Sequence, residues 1–333
     1  MALVIISLVS ASSAWAQRIA DAPDPNLPTI RAILEKPDKQ IDLARTKLTI
    51  DRMIDPGIDI EANLKKLDAM AKQIRTYLPP NSSQIQKMEI LRDYVYKPGP
   101  WNDNQPYRYD LDDPFGKNIR NKLLPTYLLT KRGNCVSMPF LFIILGEKIG
   151  LDLTASTVPL HVFVKYRGDD GQFYNFEATS GGPILDASLK RYHPMTEQAL
   201  VNGLYLRPLT KKETVALMAN TMMEFYGQEG LHEQRIALAD LLLEYHPSQE
   251  SAMLQKGHAY YGIVKRDYLS RFLSPTQIPA EQKQLFYELT RNNRLWYAKA
   301  EALGWREPDK LTEANYLRTV NQAKSLQQNG ETK

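Results

Sequence analysis

The sequence predicts an α+β protein, in which helices and a small antiparallel sheet form one domain and an all-α domain follows it. Three patterns indicate this class. Apolar residues recur at helical spacing before residue 97, two strand-like segments flank a turn at residues 167–171, and only helical spacing follows residue 210. We therefore expect a mixed domain over residues 17–209 and a helical domain over residues 210–333, preceded by a leader over residues 1–16.

The leader predicts export. Residues 2–8 form an apolar run, and Ala14-Trp15-Ala16 is an A-x-A cleavage pattern directly before Gln17. No Lys or Arg precedes the apolar run, so an uncleaved anchor or a misassigned start is the alternative. No segment reaches the ~20 apolar residues of a spanning helix, so no transmembrane span is expected. The prediction is a secreted protein of the bacterial periplasm.

Helices are expected over residues 42–53, 60–78 and from Ser82 or Ser83 to Tyr96. Residues 97–118 are rich in Pro, Asn, Asp and aromatic residues without a clear period, which indicates an ordered loop that can line a cleft. The second helix has one apolar face, formed by Leu64, Leu67, Met70, Ala71 and Ile74.

Cys135 is the only cysteine of the chain, so it is either a small core residue or a nucleophile, and an intramolecular disulfide is excluded. Residues 138–149 are apolar on nearly every side, which predicts a buried helix. Because proline is tolerated only in the first turn of a helix, Pro139 requires a start no earlier than about Cys135, with Asn134 or Cys135 as the cap. The sulfur would then lie at the positive helix end, where free N–H groups stabilise a thiolate or an oxyanion.

The hairpin after this helix predicts partners for the thiol. With a three-residue loop at residues 168–170, antiparallel pairing places His161 directly opposite Glu177, with Cβ atoms ~4.5–5.5 Å apart. The carboxylate can then accept a hydrogen bond from one imidazole nitrogen and leave the other for Cys135. Asn175 lies on the same face and is the alternative orienting residue. Gly181-Gly182-Pro183 is expected to be a turn that leaves the hairpin.

The all-α domain is predicted by helical spacing over residues 214–226, 231–245, 248–264, 279–303 and 312–328. Residues 235–247, followed by Leu254, Gly257 and Tyr260, resemble one tetratricopeptide-type helical pair. A second unit is not clearly in register. We expect this domain to position a protein partner.

Composition excludes several other classes. The chain has 42 Lys and Arg against 38 Asp and Glu, a net charge of +4 without a long basic run, so nucleic acid is not expected as a partner. Outside His161, the histidines stand at no metal-ligand spacing, and no phosphate-binding loop is present. We therefore expect neither a metal nor a cofactor.

Several motifs together resemble the transglutaminase-like superfamily, in particular its bacterial branch with a helical lead-in and a tetratricopeptide-like tail. The similarity runs from about Ile30 to about Arg207, and more loosely to Tyr261. The motifs are Gly133-Asn134-Cys135-Val136-Ser137, Leu145-Gly146, Ile149-Gly150-Leu151, Pro159-Leu160-His161-Val162-Phe163-Val164, Asn175-Phe176-Glu177-Ala178 and Gly181-Gly182.

This resemblance implies a papain-like Cys–His–Asp site and a choice of functions, since the superfamily includes amide-transferring enzymes, proteases, peptide N-glycanases and inactive scaffolds. By position, Cys135 would be the nucleophile, His161 the base, and Glu177 would stand where Asp is usual. The predicted function is a cysteine-dependent amide hydrolase or acyl transferase that acts on peptides or proteins. Its location, if the protein is exported, adds the cell envelope as the source of these substrates. The alternative is a non-catalytic peptide- or protein-binding scaffold, and a weaker one is a redox thiol that needs an external thiol partner.

Overall fold

The computed structural model describes residues 22–307 and Arg318. Over these residues the chain is mainly helical with a small antiparallel sheet, so the predicted α+β class is confirmed. The predicted leader and the predicted helix over residues 312–328 lie outside the described residues, apart from Arg318. None of the described helices is both long and apolar enough to cross a membrane.

Within the described residues, four α-helices precede the irregular segment after residue 96, and side-chain caps fix where three of them begin. Asp42 accepts from the N–H of Arg45 at 3.0 Å, Asp59 accepts from that of Ala62 at 2.9 Å, and Ser83 forms a capping box. The helices are α1 (Leu27–Leu34), α2 (Leu43–Ile54), α3 (Ile60–Tyr77) and α4 (Gln84–Tyr96). The apolar face expected for α3 is buried, as predicted.

The irregular segment after α4 is tied to the residues just before Cys135. Strand β1 (Arg108–Tyr109) pairs in parallel with β2 (Arg132–Gly133), and α5 (Leu124–Thr130) lies between them in sequence. Strands β1 and β2 were not predicted, because a two-residue strand is too short to show alternation. The pairing fixes the chain at the entrance to the cysteine turn.

Helix α6 (Ser137–Lys148) is the central element of the core. Its residues from Ser137 to Gly146 are all buried, which confirms the expected buried helix. Phe142 stacks on Phe176 of the sheet with ring centroids 4.4 Å apart. The helix therefore lies directly against the sheet face that follows it in sequence.

The sheet has the order β3–β4–β5–β6 and is antiparallel throughout. The predicted register between β4 and β5 is wrong by two residues, since Arg167 pairs with Phe173. The cause is a longer loop, in which Asp170 accepts from the N–H of Gln172 at 3.0 Å. The expected turn at residues 181–183 is also corrected, because Gly182-Pro183 forms β6. The strands are β3 (Leu153–Val158), β4 (His161–Arg167), β5 (Phe173–Glu177) and β6 (Gly182–Pro183).

In the described residues after the sheet only helices occur, as predicted for those beyond residue 210, and a π-helical segment (Lys265–Leu269) extends α11 (Glu250–Val264). Helix α9 packs against α2, and its apolar residues belong to the same core as those of α3 and α6. The boundary at residue 209 and the tetratricopeptide-like arrangement both stay predictions. The helices are α7 (Asp186–Tyr192), α8 (Glu197–Val201), α9 (Lys211–Gln228), α10 (His232–Tyr245), α11 (Glu250–Val264) and α12 (Ala280–Ala302).

Candidate active site

Asn134 shapes the turn that carries Cys135. Its side-chain Oδ1 accepts from the N–H groups of Val136 at 3.0 Å and Ser137 at 3.1 Å, and its carbonyl oxygen accepts from the N–H of Met138 at 3.1 Å. Helix α6 itself begins at Ser137, within the limit that Pro139 sets. The Asn134 side chain is buried, and its Nδ2 donates to the carbonyl of Asn121 at 3.2 Å. The N-cap residue of α6 is Val136, so the expected cap at Asn134 or Cys135 is wrong by one or two residues. Asn134 holds the turn before the helix and does not direct its amide at a ligand.

Gly133 lets β2 pass close to two buried side chains. A Cβ atom at this position would lie 2.6 Å from the Tyr127 ring and 2.7 Å from Cγ of Met138. Any larger residue would force these side chains to move, and the turn with them. The glycine before Asn134 thus has a packing reason that is independent of the chemistry at Cys135.

Cys135 meets His161 across the gap between α6 and the sheet. The thiol is partly exposed, hydrogen bonds to the imidazole of His161, and has its Sγ 4.0 Å from the carbonyl oxygen of Leu160. The imidazole Nε2 lies 2.7 Å from Oε2 of Glu177. Since the carboxylate occupies Nε2, Nδ1 is the nitrogen left for Cys135. The structure therefore brings together all three residues that the sequence singled out.

Glu177 reaches His161 along a diagonal of the sheet. Continuing the observed register places Glu177 beside Phe163, two residues along β4 from His161. A shift of two residues keeps both side chains on the same face, and diagonal neighbours lie ~7–8 Å apart. The extra methylene of Glu relative to Asp suits this longer span. The other oxygen, Oε1, accepts from the N–H of Thr179 at 2.9 Å and from its hydroxyl at 2.6 Å.

Asn175, the alternative orienting residue, makes its hydrogen bonds elsewhere. It pairs with Lys165 on β4, and its Oδ1 accepts from Nζ of Lys165 at 2.6 Å. Its Nδ2 donates to Oδ1 of Asp186 at 2.6 Å. With both ends of its amide engaged in this way, Asn175 supports the sheet edge rather than the imidazole.

The pKa values of His161 and Glu177 describe an ion pair. Burial lowers the pKa of His161, but the charge of Glu177 and the hydrogen bonds to Cys135 and Glu177 outweigh it and raise the pKa to about 10. Burial raises the pKa of Glu177, but His161 and Thr179 outweigh that effect and lower the pKa. Both side chains are about nine-tenths buried, with 11% and 10% of their surface exposed. At neutral pH the imidazole is therefore protonated and the carboxylate ionised.

His193 is a site residue that sequence reasoning missed. Its ring stacks on that of His161 with centroids 5.0 Å apart and planes 13° apart, and its Nδ1 lies 3.1 Å from the carbonyl oxygen of Pro159. Burial and the positive charge of His161 lower the pKa of His193 to about 4, so the ring is neutral and donates from Nδ1. His193 follows α7 directly, and no spacing relative to Cys135 or Glu177 indicates its position. Only the packing of α7 under the sheet brings it here.

No group of three or more His, Cys, Asp or Glu in the described part of the chain has an arrangement suited to a metal ion. The arrangement that is present consists of a thiol, an imidazole hydrogen-bonded to it and a carboxylate hydrogen-bonded to the imidazole. Such an arrangement can activate a nucleophile, transfer its proton and return it, which is the requirement for acyl transfer.

Comparison with known proteins finds two relatives of this chain and one family model that matches part of it. The chain is 24% identical over 252 residues to a UPF0162 protein of Xylella fastidiosa strain 9a5c, covering 72% of this chain and 84% of that one. It is also 24% identical over 241 residues to a UPF0162 protein of strain Temecula1, covering 69% and 80%. No solved structure matches the chain significantly. Residues 61–220 match the model of the transglutaminase-like superfamily and contain Cys135, His161 and Glu177, so this part of the chain is a transglutaminase-like superfamily domain.

Proposed function

We propose that this protein is a cysteine-dependent acyl-transfer enzyme that acts on amide bonds of peptides or proteins. The observation that carries the proposal is the continuous contact from Cys135 to His161 to Glu177 within a transglutaminase-like domain. The leader pattern at residues 1–16 favours an exported protein, and substrates of the cell envelope are then within its reach.

The first half-reaction forms a thioester. The Sγ thiolate of Cys135 attacks the amide carbonyl carbon, and the C–N bond breaks as His161 gives its Nδ1 proton to the leaving nitrogen. The N–H groups of Val136 and Ser137 already donate to the side chain of Asn134. The N–H of Cys135 does not donate to Asn134, so it is the donor of this turn that is left for a substrate. We assign it to the developing oxyanion.

The second half-reaction releases the acyl group. Water or an amine attacks the thioester carbon, His161 accepts the proton from the attacking oxygen or nitrogen, and the C–S bond breaks to restore the thiolate. Water gives a peptidase or amidase, whereas a primary amine gives a transferase. Glu177 holds the ring orientation throughout both halves, and it stabilises the positive charge that His161 carries before the first half and regains in the second.

Alkylation of the single cysteine tests the proposal. The second-order rate constant with iodoacetamide would be measured by intact mass against pH, in the wild-type protein and in His161→Ala, with Cys135→Ser as the blank and N-acetylcysteine as the reference thiol. We expect the wild-type protein to react well below pH ~8.5, the pH at which an unperturbed thiol is half ionised, and His161→Ala to lose this advantage. A thiol that reacts only after unfolding contradicts the proposal and favours the non-catalytic scaffold.

Acyl transfer itself is tested with p-nitrophenyl acetate. A burst of one equivalent of nitrophenol, together with the mass of one acetyl group on the wild-type protein but not on Cys135→Ser, would show the thioester. Faster loss of the acetyl group in the presence of a primary amine identifies a transferase, and no acceleration identifies a hydrolase.

A further inference from the structure

Leu160 projects into solvent beside the nucleophile. It is the second residue of the two-residue turn, Pro159-Leu160, that joins β3 to β4, and its side chain is 79% exposed. Its carbonyl oxygen is the atom that lies 4.0 Å from Sγ of Cys135. The residue that carries this exposed apolar side chain therefore lies directly beside the thiol through its backbone.

The backbone at Leu160 is unfavourable for its residue type. Its φ of 59° lies in the left-handed region, where the Cβ of a bulky residue is crowded and where turns normally have Gly or Asn. The side chain gains no burial that offsets this strain, since most of its surface faces water. In the free protein, a leucine at position 160 is thus less favourable in free energy than a glycine or an asparagine would be, for the backbone and for the side chain.

Leu206 shows what a structural reason for the same conformation looks like. It also has a positive φ, of 62°, but it is partly buried and packs against two apolar clusters of the chain. Packing accounts for Leu206, whereas nothing within the described residues packs over Leu160 to a comparable extent. The strain at Leu160 is explained if its contact forms only when a substrate is bound.

We propose that Leu160 is a specificity-determining residue, which contacts an apolar group adjacent to the scissile carbonyl of the acyl donor. This inference rests on the proposed function, because it needs a substrate carbonyl at Cys135. Because Leu160 lies next to the thiol, the part of the substrate that it contacts is the part next to the carbonyl that the thiol attacks. The class of substrate it selects is an acyl donor with an aliphatic or aromatic side chain next to the reacting carbon.

Two alkylating probes of different polarity test this assignment. The ratio of the rate constants for N-benzyl-iodoacetamide and iodoacetamide would be measured for the protein and divided by the same ratio for N-acetylcysteine. We expect the wild-type protein to favour the benzyl probe. The normalised ratio should rise about fourfold for each methylene-sized part of the probe that Leu160 shields from water. Leu160→Asn, which suits the left-handed backbone and removes the apolar group, should bring the normalised ratio to about one, whereas Leu160→Met should keep the preference.

Leu273→Asn is the matched control, because Leu273 is 98% exposed in a loop of the helical region. We expect it to leave the normalised ratio as in the wild-type protein. A reactive Cys135 whose ratio does not respond to Leu160→Asn overturns this inference alone. A Cys135 that iodoacetamide does not reach in the folded protein overturns the proposed function and this inference with it.

Discussion

The imidazole of His193 stacks on that of His161, and the His161 ring also forms hydrogen bonds with Cys135 and Glu177. The two rings have different charges at neutral pH, since the pKa of His161 is raised to about 10 and that of His193 is lowered to about 4. A neutral aromatic ring against a protonated one is an attractive arrangement. His193 thus shields the ion pair from water without competing for its proton.

Substitution of His193 should weaken the ion pair. His193→Ala removes the stacked ring that stabilises the protonated imidazole, so we expect the pKa of His161 to fall and alkylation of Cys135 at pH 8 to slow by about two- to fivefold, equivalent to ~0.5–1 kcal/mol. His193→Phe keeps a ring at this position and should retain most of the wild-type behaviour. NMR titration of the His161 ring carbons measures the shift. Equal titration curves for His193→Ala and the wild-type protein would show that the stack has no electrostatic role.

Removal of the charge of Glu177 should have a larger effect. In Glu177→Gln the side chain keeps its length, but the pKa of His161 should return toward the ordinary ~6.5, so the ring is mostly neutral at pH 8. We expect alkylation at that pH to slow by about tenfold or more, since each pKa unit is a tenfold change in protonation. Glu177→Asp, which is too short for the diagonal, should resemble Glu177→Gln. Wild-type rates in Glu177→Asp would contradict the geometric argument.

The ion pair should make stability depend on pH in a defined window. A raised pKa of His161 stabilises the folded protein fully below the unfolded value of ~6.5, and this contribution disappears as the pH rises through about 10. The lowered pKa of Glu177 stabilises above the unfolded value of ~4.3, and this contribution disappears as the pH falls through the folded value. We expect His161→Gln to cost about 1–3 kcal/mol of unfolding free energy at pH 6. Urea denaturation at pH 6 and pH 10 checks this, because the difference from the wild-type protein should shrink at the higher pH.

A second buried ion pair, between Lys47 and Asp51 of α2, should act on stability alone. Both side chains are fully buried, Lys47 also donates to the carbonyl of Lys122 at 3.2 Å, and Asp51 accepts from the N–H of Leu124 at 2.8 Å. Lys47→Met leaves the carboxylate of Asp51 uncompensated and should cost about 3–5 kcal/mol. Lys47→Met/Asp51→Asn removes that charge, keeps an acceptor for Leu124 and should recover much of the loss. A double variant that is less stable than Lys47→Met, measured by urea denaturation, would contradict this.

The sequence predicted the parts of the fold that depend on periodicity, and it missed those that depend on one local contact. Helix α6 was predicted because apolar residues cover all its sides and Pro139 limits its start. The register between β4 and β5 was wrong because a side-chain bond from Asp170 lengthens the loop, which no spacing indicates. The contact between His161 and Glu177 was still predicted, since a shift of two residues changes the opposite residue but not the face of the sheet. His193 was missed because its position depends on how α7 packs.

The short parallel pair of β1 and β2 makes the irregular loop and the cysteine turn one cooperative unit. The N–H of Arg108 donates to the carbonyl of Lys131 at 2.8 Å, and that of Asp110 donates to the carbonyl of Gly133 at 2.7 Å, so residues far apart in sequence must separate before either segment can open. Hydrogen exchange at these two amides therefore reports on the turn that holds Cys135. A partner that binds the loop would slow this opening. Cleavage of the loop would free the thiol from its fixed position without any change at Cys135 itself.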